Sequence, residues 1–500
     1  MWRIRDFPAF AILLLVASTL MLIPAVFAAQ MAEWRVARVF LLHAMAFAVL
    51  AVILGIATLN RHGRGPARYH LATLLLTYIL MPVVLGAPMV SIIPGLGWRG
   101  GYFEMLSCLT TTGATLFDQP RLLSDPVHLW RSLVGWIGGF MTLVTAFAIL
   151  APLNLGGFEI RQTTRGGTAA RRGSAGDDAS QRVLQSARLI LPAYAGFTGI
   201  LGLLLIFAGD RPFVAICHAM AVIATSGISP VGGLAGAQSG RLGEMALFAF
   251  LLLAVSHRTM SFRPRRGERP GLSDPEVQLM LIATLAVTTL LFLRSFIGAT
   301  EIERQDNITA ALQAIWGSLF TTLSFLTTTG FESRDWLTMQ LWSNLPSPGT
   351  ILLGLAVMGG GIATTAGGVK LLRLYALYRN CIRELDVLVH PSSVPRYGRG
   401  SNLISPGGSQ IAFIFLALFI VTLGLVMIAL SATGLSFERS LTLAVAGLTT
   451  TGPAIRTLGD GLGYAALSES ARMILCFAMI VGRMEALVIF ALFNPAFWRR

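Results

Sequence analysis

The sequence predicts an all-α polytopic membrane protein, with four tandem helix–pore-loop–helix repeats around one pseudo-fourfold pore and two N-terminal helices ahead of them. Three observations carry that expectation. The 500 residues are 54% hydrophobic and 12% charged, with a mean hydropathy of +0.70, more apolar surface than a water-soluble domain buries. Apolar runs long enough to cross a bilayer recur from end to end, which argues for one continuous membrane domain. A short Thr/Gly signature also recurs four times, always after a shorter apolar run.

The long runs lie near 9–29, 38–59, 70–92, 128–152, 187–208, 242–258, 277–297, 349–378, 409–431 and 471–493. Each is close to the roughly 20 residues that a spanning helix needs. The first follows Arg3 and Arg5, and Val26-Phe27-Ala28 has the look of a leader cleavage site. Its length and the spans that follow favour a helix kept in the membrane. The shorter runs, 101–112, 212–225, 310–329 and 437–451, each end in a cluster of small residues with glycine. That is the pattern of re-entrant helices that turn back within the membrane. The resulting units are 1–68 (two helices), 69–160, 187–262, 277–390 and 409–500 (four repeats), joined by linkers at 161–186, 263–276 and 391–408.

The net charge is +14, and Lys370 is the only lysine. Arginines gather at 61–68, 161–188, 258–269, 373–399 and the C-terminus. If re-entrant segments return to their own side, all of these fall on one face. The positive-inside rule makes that face cytoplasmic, places the C-terminus there and assigns the chain to the cytoplasmic (inner) membrane. Arg35 and Arg38 fall on the other side. The excess charge is therefore topological, and the natural partner is membrane lipid. A nucleic-acid partner is not expected, since no basic stripe carries interleaved aromatics. Cys108, Cys217, Cys381 and Cys476 are scattered without CxxC spacing, so buried thiols are expected rather than disulfides or zinc. His43, His218 and His257 make no metal constellation. No cluster of carboxylates, His or Ser/Lys at membrane depth suggests an enzyme.

The repeated signature reads Thr110-Thr111-Thr112-Gly113, Ala224-Thr225-Ser226-Gly227, Thr327-Thr328-Thr329-Gly330 and Thr449-Thr450-Thr451-Gly452. A cation leaving water must exchange its hydration shell for oxygen ligands, which stacked carbonyls and Thr hydroxyls supply. Glycine tolerates the backbone this requires. A helix C-terminus behind it adds a partial negative charge. Four copies in one chain make a ring without four subunits. Glu104 and Glu438 are expected at the N-termini of pore helices, where a carboxylate suits the dipole. Asp118 and Glu332 follow filters and are candidates to attract cations at the outer mouth.

Two further features stand out. Gly359, Gly360, Gly361, Thr364, Thr365, Gly367 and Gly368 interrupt an otherwise apolar span. Each interior glycine costs about 1 kcal/mol of helix stability against Ala, so a broken helix lining the cavity below the filter is expected. Gly359-x-Gly361 is no dinucleotide fingerprint, because no strand–helix unit surrounds it. Arg483 lies well inside the last span, where a charge must face water or a partner. Glu485 is expected to pair with an arginine that the sequence does not single out.

Together these features resemble the Trk/Ktr/HKT superfamily of potassium transporters, and most of all its Trk-type membrane subunit. The resemblance runs from the first pore segment to the C-terminus. It includes Trp136-Ile137-Gly138-Gly139, Gly359-Gly360-Gly361 through Lys370, and Gly482-Arg483-Met484-Glu485 before Asn494-Pro495-Ala496-Phe497-Trp498. It implies a K⁺ selectivity filter at Thr111, Thr112, Gly113, Thr225, Ser226, Gly227, Thr328, Thr329, Gly330, Thr450, Thr451 and Gly452. Glycine at all four last positions favours K⁺ over Na⁺ in such a family. The second filter departs, with Ala224-Thr225-Ser226 in place of a triple Thr, although its third side chain is still a hydroxyl. The resemblance also implies an intramembrane gating loop at 359–368, with Lys370 near its cytoplasmic end and Arg483 beside it under the filter. It implies a homodimer and a separate cytosolic nucleotide-binding (NAD/ATP-type) regulatory subunit. K⁺ is then the transported ion, and this chain carries no organic cofactor. The competing readings are a Na⁺-permeable or mixed K⁺/Na⁺ member, and a secondary transporter of organic solutes. The last would show broken helices in two halves rather than four re-entrant segments. Passive flux and flux coupled to H⁺ or Na⁺ both fit the sequence.

Overall fold

The structure is a computed structural model that describes residues 9–58, 67–151, 157–160, 179–253, 274–301, 308–343, 349–390, 408–459, 461–485 and 489. Those residues form helices and connecting turns, with no β-strand among them. Among the described residues, eight helices are long and apolar enough to cross a membrane: Phe10–Gln30, Trp34–Thr58, Leu71–Ile92, Asp125–Leu150, Arg182–Phe207, Pro275–Arg294, Thr309–Leu326 and Gly408–Ser431. The first, Ala9–Leu20 continued by Leu22–Gln30, packs against Trp34–Thr58. Gly408–Ser431 and Pro275–Glu301 turn large apolar side chains outward, including Ile420, Leu425, Ile428, Leu285 and Leu290. Such faces are untenable in water and ordinary against lipid tails.

Four further elements precede the Thr/Gly signatures: the short helices Gly97–Leu109, Pro212–Ile223 and Phe437–Leu448, and Ile308–Leu326, which is itself one of the eight. They coincide within a few residues with the four short apolar runs. Each is held between an outer helix before it and an inner helix after it. For the first, these are Ala67–Ile92 and Asp125–Thr145, and for the last Gly408–Ser431 and Glu469–Met484.

The structure departs from the sequence reading in particular places. The apolar run at 349–378 is two helices, Gly349–Met358 and Leu371–Val389, separated by the glycine-rich loop. A further helix, Trp336–Ser343, precedes them. The second outer helix begins at Ala179, inside the stretch read as linker. Most of the linkers 161–186, 263–276 and 391–408, and the motif Asn494–Trp498, lie outside the described residues. Cys108, Cys217 and Cys476 are buried, but Cys381 is exposed. The amphipathic helix Leu371–Val389 turns it outward along with Tyr378 and Leu385.

Candidate ion pathway

All four pore helices end in the same hydrogen-bonded turn. The Thr111 N–H donates to the Cys108 carbonyl (2.9 Å), and the Thr112 N–H reaches back to Ser107 (2.8 Å). Thr225 and Ser226 repeat this on Val222 and Ala221, Thr328 and Thr329 on Phe325 and Ser324, and Thr450 and Thr451 on Gly447 and Ala446. This pair of bonds closes a helix around one left-handed residue, a position that normally goes to glycine. Here it goes to threonine, with φ of 54° at Thr111, 50° at Thr225, 57° at Thr328 and 55° at Thr450. A β-branched residue in that region costs on the order of 1–3 kcal/mol. The chain meets that cost four times at equivalent points.

What the strained threonines provide is visible in their hydroxyls. The Oγ1 atoms of Thr111, Thr225 and Thr450 are buried without a hydrogen-bond partner among the described residues. The fourth, on Thr328, accepts the Gly367 N–H at 2.8 Å. Buried hydroxyls are seldom left unpaired, and oxygens so placed suit a partly dehydrated cation. The third side chain of each signature is used differently. The hydroxyls of Thr112, Thr329 and Thr451 pair with those of Thr110, Thr327 and Thr449 at 2.8, 3.2 and 3.1 Å. The side chains of these residues are therefore tied up within their own segments. In the second segment Ala224 removes that hydroxyl partner.

The glycines bring the segments together. A Cβ on Gly113 would strike the Ser226 carbonyl oxygen, one on Gly227 the Thr329 oxygen, and one on Gly452 the backbone of Thr112 and Ala114. One on Gly330 would stand 3.1 Å from Thr451 Cγ2. Each segment thus abuts the next, and the fourth closes on the first through the Gly452 N–H to the Thr112 carbonyl at 2.6 Å. The ring order is one, two, three, four.

Buried carboxylates brace the segments that follow the first three filters. Glu104 lies mid-helix and fully buried, not at a helix N-terminus as expected, because Arg131 on the inner helix pairs with it at 2.7 Å. It also accepts the Leu116 N–H at 3.0 Å. Asp210 accepts from Gln238 and Ser239 at 2.6 and 2.9 Å. Glu244 accepts from Trp316 Nε1, Ser333 Oγ and Arg334 N at 2.9, 2.8 and 2.7 Å. Glu438 does stand in the first turn of its pore helix, next to the Ser436 cap. At the outer mouth Asp118 is exposed. Burial raises the Glu332 carboxyl above the usual range, against the lowering influence of Arg456.

Beneath the ring lies the broken helix. The Val369 and Lys370 N–H groups take the carbonyls of Val357 and Met358 at 2.9 and 3.0 Å, so residues 359–368 form a closed loop. Gly359 (φ 72°) and Gly368 (φ 77°) stand back to back at its neck, where any Cβ would meet the opposite strand's backbone. The loop touches two filter segments and the end of the second pore helix. Gly367 donates to Thr328 Oγ1 and lies against Thr450, and Thr365 Oγ1 donates to the Ile223 carbonyl at 3.4 Å. Arg483 Nη1 donates to the Thr365 carbonyl at 2.7 Å. Lys370 Nζ donates to the Ala366 carbonyl. Glu276 Oε1 accepts the Ile362 N–H at 2.9 Å. The arginine paired with Glu485 is Arg373, at 2.7 Å, and its guanidinium lies 3.7 Å from the centre of the Phe415 ring.

The sequence reading missed Glu104–Arg131, Glu244, Glu276 and Arg373 as elements of this site. The available signal was buried-looking charge in apolar helices, which marks a polar network without naming the partners.

Four Thr/Gly turns closed into a ring, in a chain of long apolar helices, suit a membrane cation-transport protein. The chain belongs to the family described as TrkH cation transport protein, whose model matches residues 247–500. It is 29% identical over 433 residues to the Trk system potassium uptake protein TrkI of Halomonas elongata, covering 85% of this chain and 81% of that one. It is 28% identical over 410 residues to the Trk system potassium uptake protein TrkH of Escherichia coli, covering 81% and 80%. The crystal structure of the potassium transporter TrkH from Vibrio parahaemolyticus superposes with a TM-score of 0.80 over all of both chains at 23% identity, a likeness of fold.

Proposed function

We propose that this chain carries K⁺ into the cell through the ring of Thr/Gly segments, and that the loop 359–370, latched by Arg483, closes the route beneath it. One observation carries the reading: four equivalent left-handed threonines, three with unpartnered buried hydroxyls, stand directly over a glycine loop held by a buried arginine. An oxygen ring of this kind ligates a partly dehydrated cation, and a fixed positive charge below it opposes passage. The relatives' names as potassium uptake proteins and the four glycines support K⁺ over Na⁺.

The arginine-rich face is cytoplasmic in this reading and holds the C-terminus, with the chain in the inner membrane. A homodimer and a cytosolic NAD- or ATP-type nucleotide-binding regulatory chain complete it. Family membership and the relatives' naming as parts of a system support them.

The test is ⁸⁶Rb⁺ uptake into proteoliposomes, native against Gly330→Ser. Unlabelled K⁺ should compete and Na⁺ should not. Serine at φ 76° beside Thr451 and Pro453 should narrow that preference. Equal competition by Na⁺ in the native protein would overturn K⁺ selectivity in favour of the Na⁺-permeable reading.

A further inference from the structure

The fourth filter segment is built unlike the other three. Gly113, Gly227 and Gly330 are left-handed, with φ of 74°, 63° and 76°. Gly452 is not, and instead opens the 3₁₀ turn Gly452–Leu458. Its carbonyl accepts a hydrogen bond from the buried Tyr464 hydroxyl at 2.8 Å, and its N–H occupies the Thr112 carbonyl at 2.6 Å. Two carbonyls of the ring, those of Gly452 and Thr112, are therefore engaged by protein donors. Tyr464 itself is steadied by Phe103, with ring centres 5.8 Å apart.

The residue after Gly452 adds a steric element. Pro453 reaches over the third segment and across the ring to the second. Its Cγ stands 2.8 Å from where a Gly227 Cβ would lie, and its Cβ 3.1 Å from where a Gly330 Cβ would lie. Proline has no N–H to offer a carbonyl or water, so this collar is apolar. Elsewhere around the ring each glycine abuts the next segment's carbonyl, but Gly330 meets Thr451 Cγ2 and Pro453.

We propose that Tyr464 is a positioning residue that holds the Gly452 carbonyl away from the ion, and that Pro453 narrows the outer mouth, so that the first site an entering cation meets is weak and size-restricted. This rests on the reading of the ring as a K⁺ path. Conduction needs sites that bind well enough to admit an ion and weakly enough to release it. A site that loses a carbonyl to a protein donor sits toward the weak side. Tyr464 and Pro453 thereby tune throughput and size preference, while the glycines provide the ring.

The experiment is K⁺ uptake by cells without other K⁺ uptake systems that express the full chain, with half-saturating concentration and maximal rate measured separately. Tyr464→Phe keeps the buried ring and frees the Gly452 carbonyl. It should lower the half-saturating K⁺ about fivefold, the worth of one neutral hydrogen bond, and also lower the maximal rate. A merely structural lesion would lower the rate and leave half-saturation unchanged, and that result overturns the Tyr464 assignment. Pro453→Ala, with Tyr464 intact, should raise Cs⁺ uptake relative to K⁺, and an unchanged ratio overturns the collar. If the native chain gives no saturable K⁺ uptake, the conducting-ring reading fails and takes this inference with it. Saturable native uptake with both variants unaltered overturns this inference alone.

Discussion

In the first repeat the inner helix runs unbroken from Asp125 to Thr145, whereas in the third it stops at Met358 and resumes at Leu371. Both contain glycine where they pass the filter. Gly138 keeps helical geometry, and its missing Cβ lets the helix lie directly on the Leu109 carbonyl at the end of its pore helix. Gly359 takes φ 72°, ends the helix and starts a loop that presses on the filters. The fourth repeat shows a third arrangement. Gly482 packs on the Leu448 carbonyl as Gly138 does on Leu109, and the next residue, Arg483, reaches the loop where the first repeat has Gly139. Gly138 and Gly482 thus share one packing site on the end of a pore helix, whereas Gly359 packs on its own loop, against Gly367 and Gly368. Glycine alone does not break the helix. A run of glycines with positive φ at both ends of a closed loop does.

The largest expected effect is at the shared packing site. Gly138→Val should remove folded protein altogether, because the clash is with backbone and overpacking costs about 1–3 kcal/mol even where side chains can move. Yield of monodisperse protein in detergent reads this out. Survival of that variant with normal flux would show that the close contact is dispensable. Next, Glu485→Ala strands Arg373 in a buried setting, a loss of about 3–5 kcal/mol. The anchor of the helix after the loop should loosen, with a lower melting temperature and raised basal ⁸⁶Rb⁺ leak. Glu276→Ala is smaller, since it leaves one buried N–H, that of Ile362, without its acceptor at about 1–3 kcal/mol. A several-fold rise in leak is expected, and Glu276→Gln should restore most of the closure. The smallest effect belongs to the outer rim. Arg241→Ala breaks a solvent-exposed pair with Asp335, should cost about 0.5 kcal/mol or less, and should leave flux unchanged.

Much of this comparison was legible beforehand, and the reason is repetition. Four Thr/Gly signatures after four short apolar runs announce four turned-back helices, and the structure puts those helices at 97–109, 212–223, 308–326 and 437–448. The broken span was legible because five glycines in an apolar run contradict a helix. Arg483 stood out because charge at that depth demands a partner. What the sequence did not reveal was pairing. Arg373 and Glu485 are 112 residues apart, and Ile362 and Glu276 are 86 apart. No local pattern joins them. Glu104 was misplaced for a related reason: a carboxylate near the start of an apolar run reads as a dipole partner until Arg131 on another helix claims it. The division of labour within each signature was also hidden. The run of threonines gives no sign that the second hydroxyl is unpartnered in three segments, or that the third is tied to the first wherever both are threonine. The fourth filter's departure depends on Tyr464, twelve residues on, within a loop that has no periodicity to read.

The central claim is that Arg483 holds a backbone plug under a conducting ring. Its most direct test is passive ⁸⁶Rb⁺ flux through purified native and Arg483→Ala protein in liposomes, with no other chain present. A charge-assisted hydrogen bond to a buried carbonyl is worth about 1.5–3 kcal/mol, so its loss should raise flux roughly tenfold or more, with K⁺ still competing better than Na⁺. Flux in Arg483→Ala equal to or below native, in protein shown to be folded, would contradict the account.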